Sequence, residues 1–327
     1  MADYLNNSIS GLRCGQKILP SEIIGFDGYV FGNTYYVDPT NGSDLNPGTT
    51  PDKAFATADL ANDTITTNNN DAVYLSGYAS HTVTEMLTVS KNRCHFIGTD
   101  FDGRKFGQVS KISMGVTTAA TDIGIMKNTG VRNSFMGIKF SSDNTVAESL
   151  YGVVDGSEYA VYRNCEFYKS TDTDTTGSAE FVMNADSIQM FNCTFGSTAN
   201  ATSGAIIRAN VLLTKGLAGT GKVTRDGYME DCLFFKKAGN VADRFIYAAA
   251  SADIERGLTL VRPIFINAVL AAADPDQCIA AGANLIDGHI LCYYPAFINA
   301  TKLSTTTGVF VIGAATGATA GLATQAA

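Results

Sequence analysis

The chain has 327 residues, 45% hydrophobic and 17% charged, with a formal net charge of −8. That is long enough for one large core, and so few charges amid abundant Gly, Ala, Thr, Ser and Asn argue against a helix bundle and for stacked strands joined by tight turns. No Lys/Arg cluster stands out, so nucleic acid is not expected as a partner. No apolar run of 18 residues and no basic, apolar leader is present, so neither a membrane span nor secretion is expected.

In chain order, residues 1–33 carry no repeat and are read as an N-terminal arm. The segment from Tyr35-Tyr36-Val37-Asp38 through Asn41-Gly42-Ser43-Asp44 to Pro51-Asp52-Lys53-Ala54-Phe55-Ala56-Thr57 follows. It resembles the opening of pectate-lyase-like right-handed parallel β-helix proteins, which include phage tail spikes, other virion proteins and bacterial surface proteins. The resemblance implies a first strand at YYVD, a polar turn and a capping helix continuing through Ala58-Asp59-Leu60-Ala61. It also implies strands at Asp71–Gly77, Thr82–Val89 and His95–Gly98. The resemblance covers roughly residues 34–300 and speaks to fold more than to function.

The body carries an internal repeat. Arg93-Cys94-His95-Phe96, Asn164-Cys165-Glu166-Phe167, Asn192-Cys193-Thr194-Phe195 and Asp231-Cys232-Leu233-Phe234 each place Cys two residues before Phe. Pro263-Ile264-Phe265 and Pro295-Ala296-Phe297 keep the Phe with Pro for Cys, and Gly137-Ile138-Lys139-Phe140 uses Ile. The anchors at 96, 140, 167, 195, 234, 265 and 297 are spaced by 44, 27, 28, 39, 31 and 32 residues. The short spacings read as one solenoid coil, the longer ones as a coil with an insertion, and 44 leaves room for a weaker coil between.

Residues at i and i+2 share a strand face, so Cys and Phe should point inward, and Glu166, Thr194 and His95 outward. The Asn or Asp before each Cys suits a turn. Residues 301–327, almost all Ala, Gly, Thr and Val, are read as a C-terminal arm held by neighbouring subunits. The expectation is therefore an all-β, right-handed parallel β-helix over 34–300 between two extended arms.

Chemistry is harder to place. Family hydrolases use clustered carboxylates, and family lyases a basic residue, often with calcium. The central carboxylates are Glu166, expected in solvent, Glu180, Asp186, Glu230, expected on the inward parity, and Asp231; nothing in the spacing makes them meet. Gly216–Val223 nearly spells a phosphate loop, but Val223 stands where Ser or Thr belongs and no helical pattern follows, so a Gly-rich inserted loop is expected.

Asp38, Asn41, Asp44 and Asn46 lack EF-hand spacing and read as a turn; Asp172 and Asp174 read as an exposed loop. His81, His95 and His289 are far apart. Seven cysteines, including Cys14 and Cys278, are an odd count without CxxC spacing, which argues against a disulfide framework or zinc site.

No catalytic, cofactor-binding or metal residue is assigned. The functional expectation is a bacteriophage structural protein, foremost a homotrimeric capsid decoration (cement) protein on the major capsid protein, made in the host cytoplasm and located on the virion. A tail spike contacting host glycan is the alternative, and a polysaccharide lyase or hydrolase a second one.

Overall fold

The computed structural model describes residues 32–323, apart from 78, 100–106, 115–123, 143–149, 170–176, 197–207, 218, 220, 239–240, 269–273, 283, 314–315 and 320. The N-terminal arm through residue 31, Cys14, Asp172 and Asp174 lie outside the described residues. Successive short strands visit three sheets in turn, so each coil pairs with the one before it. The first sheet has ten strands, from Thr34–Val37 to Val309–Ile312; the second has seven, from Leu87–Val89 to Ile279–Ala281; the third has ten, from Ser80–Val83 to Gly321–Ala323. Strand pairings are parallel throughout except the last, between Thr316–Thr319 and Gly321–Ala323. This is the parallel β-helix expected from the repeat.

The repeat works because the corner between the first and third sheets has one solution. Gly137, Asn164, Asn192, Asp231, Arg262 and Tyr294 all adopt positive φ there. Gly, Asn and Asp reach that conformation at low cost, which is why they fill most of the slot. Asn192 Nδ2 donates to Asn164 Oδ1 of the preceding coil. The following residue points inward, and where it is Cys its thiol donates to a carbonyl one coil back: Cys165 to Phe135 at 3.4 Å, Cys193 to Tyr162 at 3.6 Å, Cys232 to Met190 at 3.7 Å. The six described cysteines are all buried and free.

Two residues later comes the aromatic slot. Phe140, Phe167, Phe195, Phe234, Phe265 and Phe297 align in register on the third sheet. Neighbouring rings from Phe140 to Phe265 stack with centroids 5.5, 5.0, 5.0 and 4.8 Å apart. Each stacked pair adds about 0.5–1.5 kcal/mol to the burial itself.

Phe96 does not belong to this ladder. It lies on the first sheet, in register with Val73 and Phe135, and Phe135 with Tyr162. Arg93 (φ 55°) opens the corner between the second and first sheets, where Arg132, Tyr159 and Ser187 also take positive φ. That corner too needs a left-handed residue and then a buried one, so Arg93-Cys94-His95-Phe96 imitates the motif. The 44-residue spacing hides no further coil: the strands of Phe96 and Phe135 are direct neighbours, and Ile112, on the coil of Phe96, precedes Phe140 in the ladder, with His81 before it.

The N-terminal end is closed. Tyr36 and Asp38 donate to the carbonyls of Gly48 and Phe55, and Phe55 donates back to Tyr36. The helix Ala58–Thr64 follows, its first turn capped by Thr57 Oγ accepting from Leu60 N at 3.3 Å. Phe55, Ala58, Ala61 and Ile65 are part of the main core. At the other end, Val309–Ile312 and Thr316–Thr319 extend the first and third sheets, so the β-helix continues past residue 300 into the stretch read as an arm. The alternation in Val309-Phe310-Val311-Ile312 explains this: Val309 and Val311 pack on the core.

Candidate functional site

Each central carboxylate singled out in the sequence has a basic partner; Glu166 and Glu180 stand apart, whereas Glu230 and Asp231 meet on Arg262 and Asp186 meets Asp226 on Arg256. Glu166 is 8% exposed rather than in solvent. It points outward from the third sheet but lies beneath Gln108, whose N–H donates to Oε1 at 2.9 Å, with Lys139 Nζ 3.6 Å from Oε2. Glu180, on the second sheet, forms a buried pair with Arg208 Nη2 at 3.0 Å. Glu230 is not inward: Met229 takes that slot, and the left-handed Asp231 breaks the two-residue alternation at the corner. Arg262 holds both, with Nη2 2.6 Å from Glu230 Oε1 and Nε 2.8 Å from Asp231 Oδ1. These hydrogen bonds, Asp231 first, push the Arg262 guanidinium pKa up.

Asp38 and Asn41 form the expected turn, the Asp38 carboxylate accepting from Thr40 N, Asn41 N and Asn41 Nδ2 at 2.9, 3.2 and 3.1 Å. Partial desolvation opposes these bonds, which nevertheless hold Asp38 below the usual carboxylate range. Asp44 accepts from Ala56 N, Thr57 N and Thr57 Oγ, tying the turn to the helix start. The described residues of 216–223 form no strand or helix, Gly216, Gly219 and Gly221 have positive φ, and the strand Thr224–Glu230 follows as expected. His81 is buried against the Ser76 carbonyl at 2.8 Å, and burial lowers its pKa. His95 meets Ser134 Oγ through Nδ1 at 2.7 Å, and desolvation takes its pKa down to about 4.

His289 is in a different setting. The strands Thr224–Glu230, Ile254–Val261 and Gly288–Tyr293 are the longest in the first sheet, and their register slips between Arg225 and Gly227. Asp226 (φ 45°) and Arg256 (φ 66°) sit at this bulge, which re-aims side chains off the sheet. Arg256 Nη2 lies 2.8 Å from Asp226 Oδ2 and 3.4 Å from Asp186 Oδ1.

The outcome is an open cleft of about 600 Å³ whose lining includes Asp226, Tyr228, Arg256, Thr259, Asp287 and His289. Gly257 makes room for the imidazole, since a Cβ there would lie 2.8 Å from His289 Nε2. Tyr228 donates to Glu230 Oε2 at 2.9 Å, and its pKa is raised, by desolvation first and then by that bond.

The cleft thus offers a guanidinium, an imidazole, hydroxyls, a carboxylate and an aromatic ring along three adjacent strands. The sequence contained one signal for it: Asp226-Gly227, Arg256-Gly257 and Asp287-Gly288 recur at spacings of 30 and 31 residues, one coil each. Among the described residues, no three His, Cys, Asp or Glu side chains cluster as a metal site, and no helix is long and apolar enough to cross a membrane.

No family model and no curated protein matches the chain. Among solved structures, a rhamnogalacturonan lyase is similar over 83% of this chain and 69% of its own, with TM-score 0.55 and 14% identity. The pectin methylesterase of Aspergillus niger is similar over 89% and 88%, with TM-score 0.54 and 12% identity. Geobacillus virus E2 ORF18 is similar over 79% and 51%, but at a TM-score of 0.41 and 10% identity that likeness carries no weight. The chain therefore has the parallel β-helix fold of the first two proteins; at these identities the likeness is one of fold.

Proposed function

We propose that the chain is a structural protein of a virus particle that binds glycan without cleaving it, in the cleft on its first sheet. The observation that carries the reading is the contrast between the cleft and the carboxylates. Glycoside cleavage uses a pair of carboxyl groups, commonly about 5–9.5 Å apart, as acid and as base or nucleophile. Here the two close pairs, Asp186 with Asp226 and Glu230 with Asp231, are each bridged by one guanidinium, of Arg256 and Arg262, which holds both members ionised rather than one as an acid. Glu166 and Glu180 are held singly by Lys139 and Arg208. The cleft retains what binding needs: donors on Arg256 and His289, an acceptor on Asp287, and the Tyr228 ring as a stacking face.

The names of the two fold relatives, a lyase for rhamnogalacturonan and an esterase for pectin, support polysaccharide as the ligand class. The resemblance of Tyr35–Thr57 to pectate-lyase-like β-helix proteins, a family that includes virion proteins, supports the particle.

Isothermal titration against polysaccharide from the host surface tests this. Binding should weaken roughly tenfold in Arg256→Ala or His289→Ala, about 1.4 kcal/mol, with no new reducing or unsaturated ends released. Release of such ends, abolished by His289→Ala, would install the polysaccharide lyase or hydrolase reading. Absence of glycan binding returns the chain to the capsid-decoration role, with the major capsid protein as partner. Gold labelling of intact particles separates head from tail.

A further inference from the structure

The two ends of the first sheet are treated differently. At the N-terminal edge, Thr34–Val37 spends its outward backbone groups on Gly48 and Phe55, and the core behind it is closed by the helix Ala58–Thr64. At the C-terminal edge, Val309–Ile312 pairs only inward, with Gly288–Tyr293, and no described strand covers its other side. Edge strands are normally guarded by charge, Pro, bulges or a covering element. This one is apolar: Phe310 is 54% exposed, and Tyr294, at the preceding corner, 61%. Ile312 and Ile298 are exposed as well. From Leu303 to Ala323 the sequence has no charged residue.

We infer that this edge binds the same edge of a second copy of the chain, tail to tail, with the two Val309–Ile312 strands antiparallel across a twofold axis. Three observations select that occupant. The capped N-terminal edge cannot receive the open one, so head-to-tail stacking into a filament is blocked and like ends must meet; a twofold contact closes after two copies. Each copy carries a net charge of −8, so two copies repel everywhere except where charge is missing, and this end is such a place. The outward row Tyr228, Thr259, Leu291 and Phe310 is in register across four strands, so pairing at the edge also buries the Phe310 ring at the end of a continuous face. This face shares Tyr228 and Thr259 with the cleft, and Phe310 meets the His289 ring edge-on at 6.4 Å; association is read by mass alone, so its failure is distinguishable from failure of the glycan reading.

Sedimentation equilibrium of the full chain up to about 100 μM tests it. The expected mass is that of a dimer, and association should strengthen with salt, because screening removes the repulsion between acidic bodies while leaving the apolar contact. Phe310→Lys with Ile312→Lys should raise the dissociation constant at least roughly tenfold, with the circular dichroism unchanged. Leu45→Lys, at a side chain 97% exposed near the capped end, should leave it alone. A monomer throughout, a trimer, dimers that persist in the double variant, or dimers lost in Leu45→Lys would each overturn the inference.

Discussion

Replacing Phe195 and Phe234 by leucine, singly and together, measures how far the aromatic ladder acts as neighbours rather than as a sum. Phe195 is fully buried and stacks at 5.0 Å on both Phe167 and Phe234. Truncating such a ring to Ala costs about 3–5 kcal/mol, and the two stacked contacts place this position at the upper end. Leucine retains most of the volume, so each single change should cost about 1–2 kcal/mol.

The pair should couple by about 0.5–1.5 kcal/mol, the worth of one stacked contact. Phe140 and Phe265, which never touch because three rings intervene, should couple by less than about 0.5 kcal/mol. Urea unfolding followed by far-ultraviolet circular dichroism gives the four stabilities. In a solenoid, local opening can precede global unfolding, so hydrogen exchange at the affected coils accompanies it. Coupling as large between Phe140 and Phe265 as between Phe195 and Phe234 would refute the nearest-neighbour account.

Three further outcomes are expected. His95 has its pKa lowered from 6.5 to about 4 by burial, so as pH falls between these values the unfolded chain takes up a proton that the fold refuses. Stability therefore drops across that window and levels below it, by up to about 3 kcal/mol; His95→Gln should remove that share of the slope in pH-dependent urea melts, and superimposable curves would refute it. Burial raises Asp155 and so works the other way, which is why the difference between the two proteins is the quantity to read.

Gly196 has φ +78°, and a Cβ there would lie 2.1 Å from the Phe235 carbonyl oxygen, whereas Gly177 has φ +85° and, among the described residues, nothing within 4 Å of a Cβ. Gly196→Ala should therefore cost more than Gly177→Ala, whose cost is about 1 kcal/mol of backbone strain; equal costs would show that the Phe235 strand yields freely. Finally, Gly257→Ala should displace the His289 ring and weaken glycan binding as much as His289→Ala does, with little change in melting temperature; unaltered affinity would separate the imidazole from the site.

The fold was legible because one corner repeats a chemical demand: Asn164, Asn192 and Asp231 satisfy a left-handed turn, and the Cys and Phe after them fill fixed inward slots. The misplacement of Phe96 has the same root, since two corners make the same demand and local sequence does not say which sheet follows. Burial of Glu166 was not legible because its cover, Gln108, lies 58 residues away. Nor was the cleft, which depends on a bulge that brings Asp226 against Arg256 and leaves Gly257 under His289; the recurring glycines mark the coil period without revealing that slip. The last strands were hidden by composition, although the alternation of Val309 and Val311 with Phe310 and Ile312 was there to be seen.

In the six coils from Gly137-Ile138 to Tyr294-Pro295 the corner between the first and third sheets is two residues long, whereas the passages from third to second sheet, such as Phe195 to Ala209 and Lys236 to Arg244, differ in length from coil to coil. The solenoid thus has a hard side and a slack side. One extra residue beside Asn192 would turn the following strand inside out, because side chains alternate with a period of two. Chain added between Gly196 and Arg208, both of which are fixed by their neighbours, should leave the register on either side unchanged. A lineage building new surface on this body can lengthen it there without rewinding the core, and foreign peptides spliced between Gly196 and Arg208 should be carried as passengers.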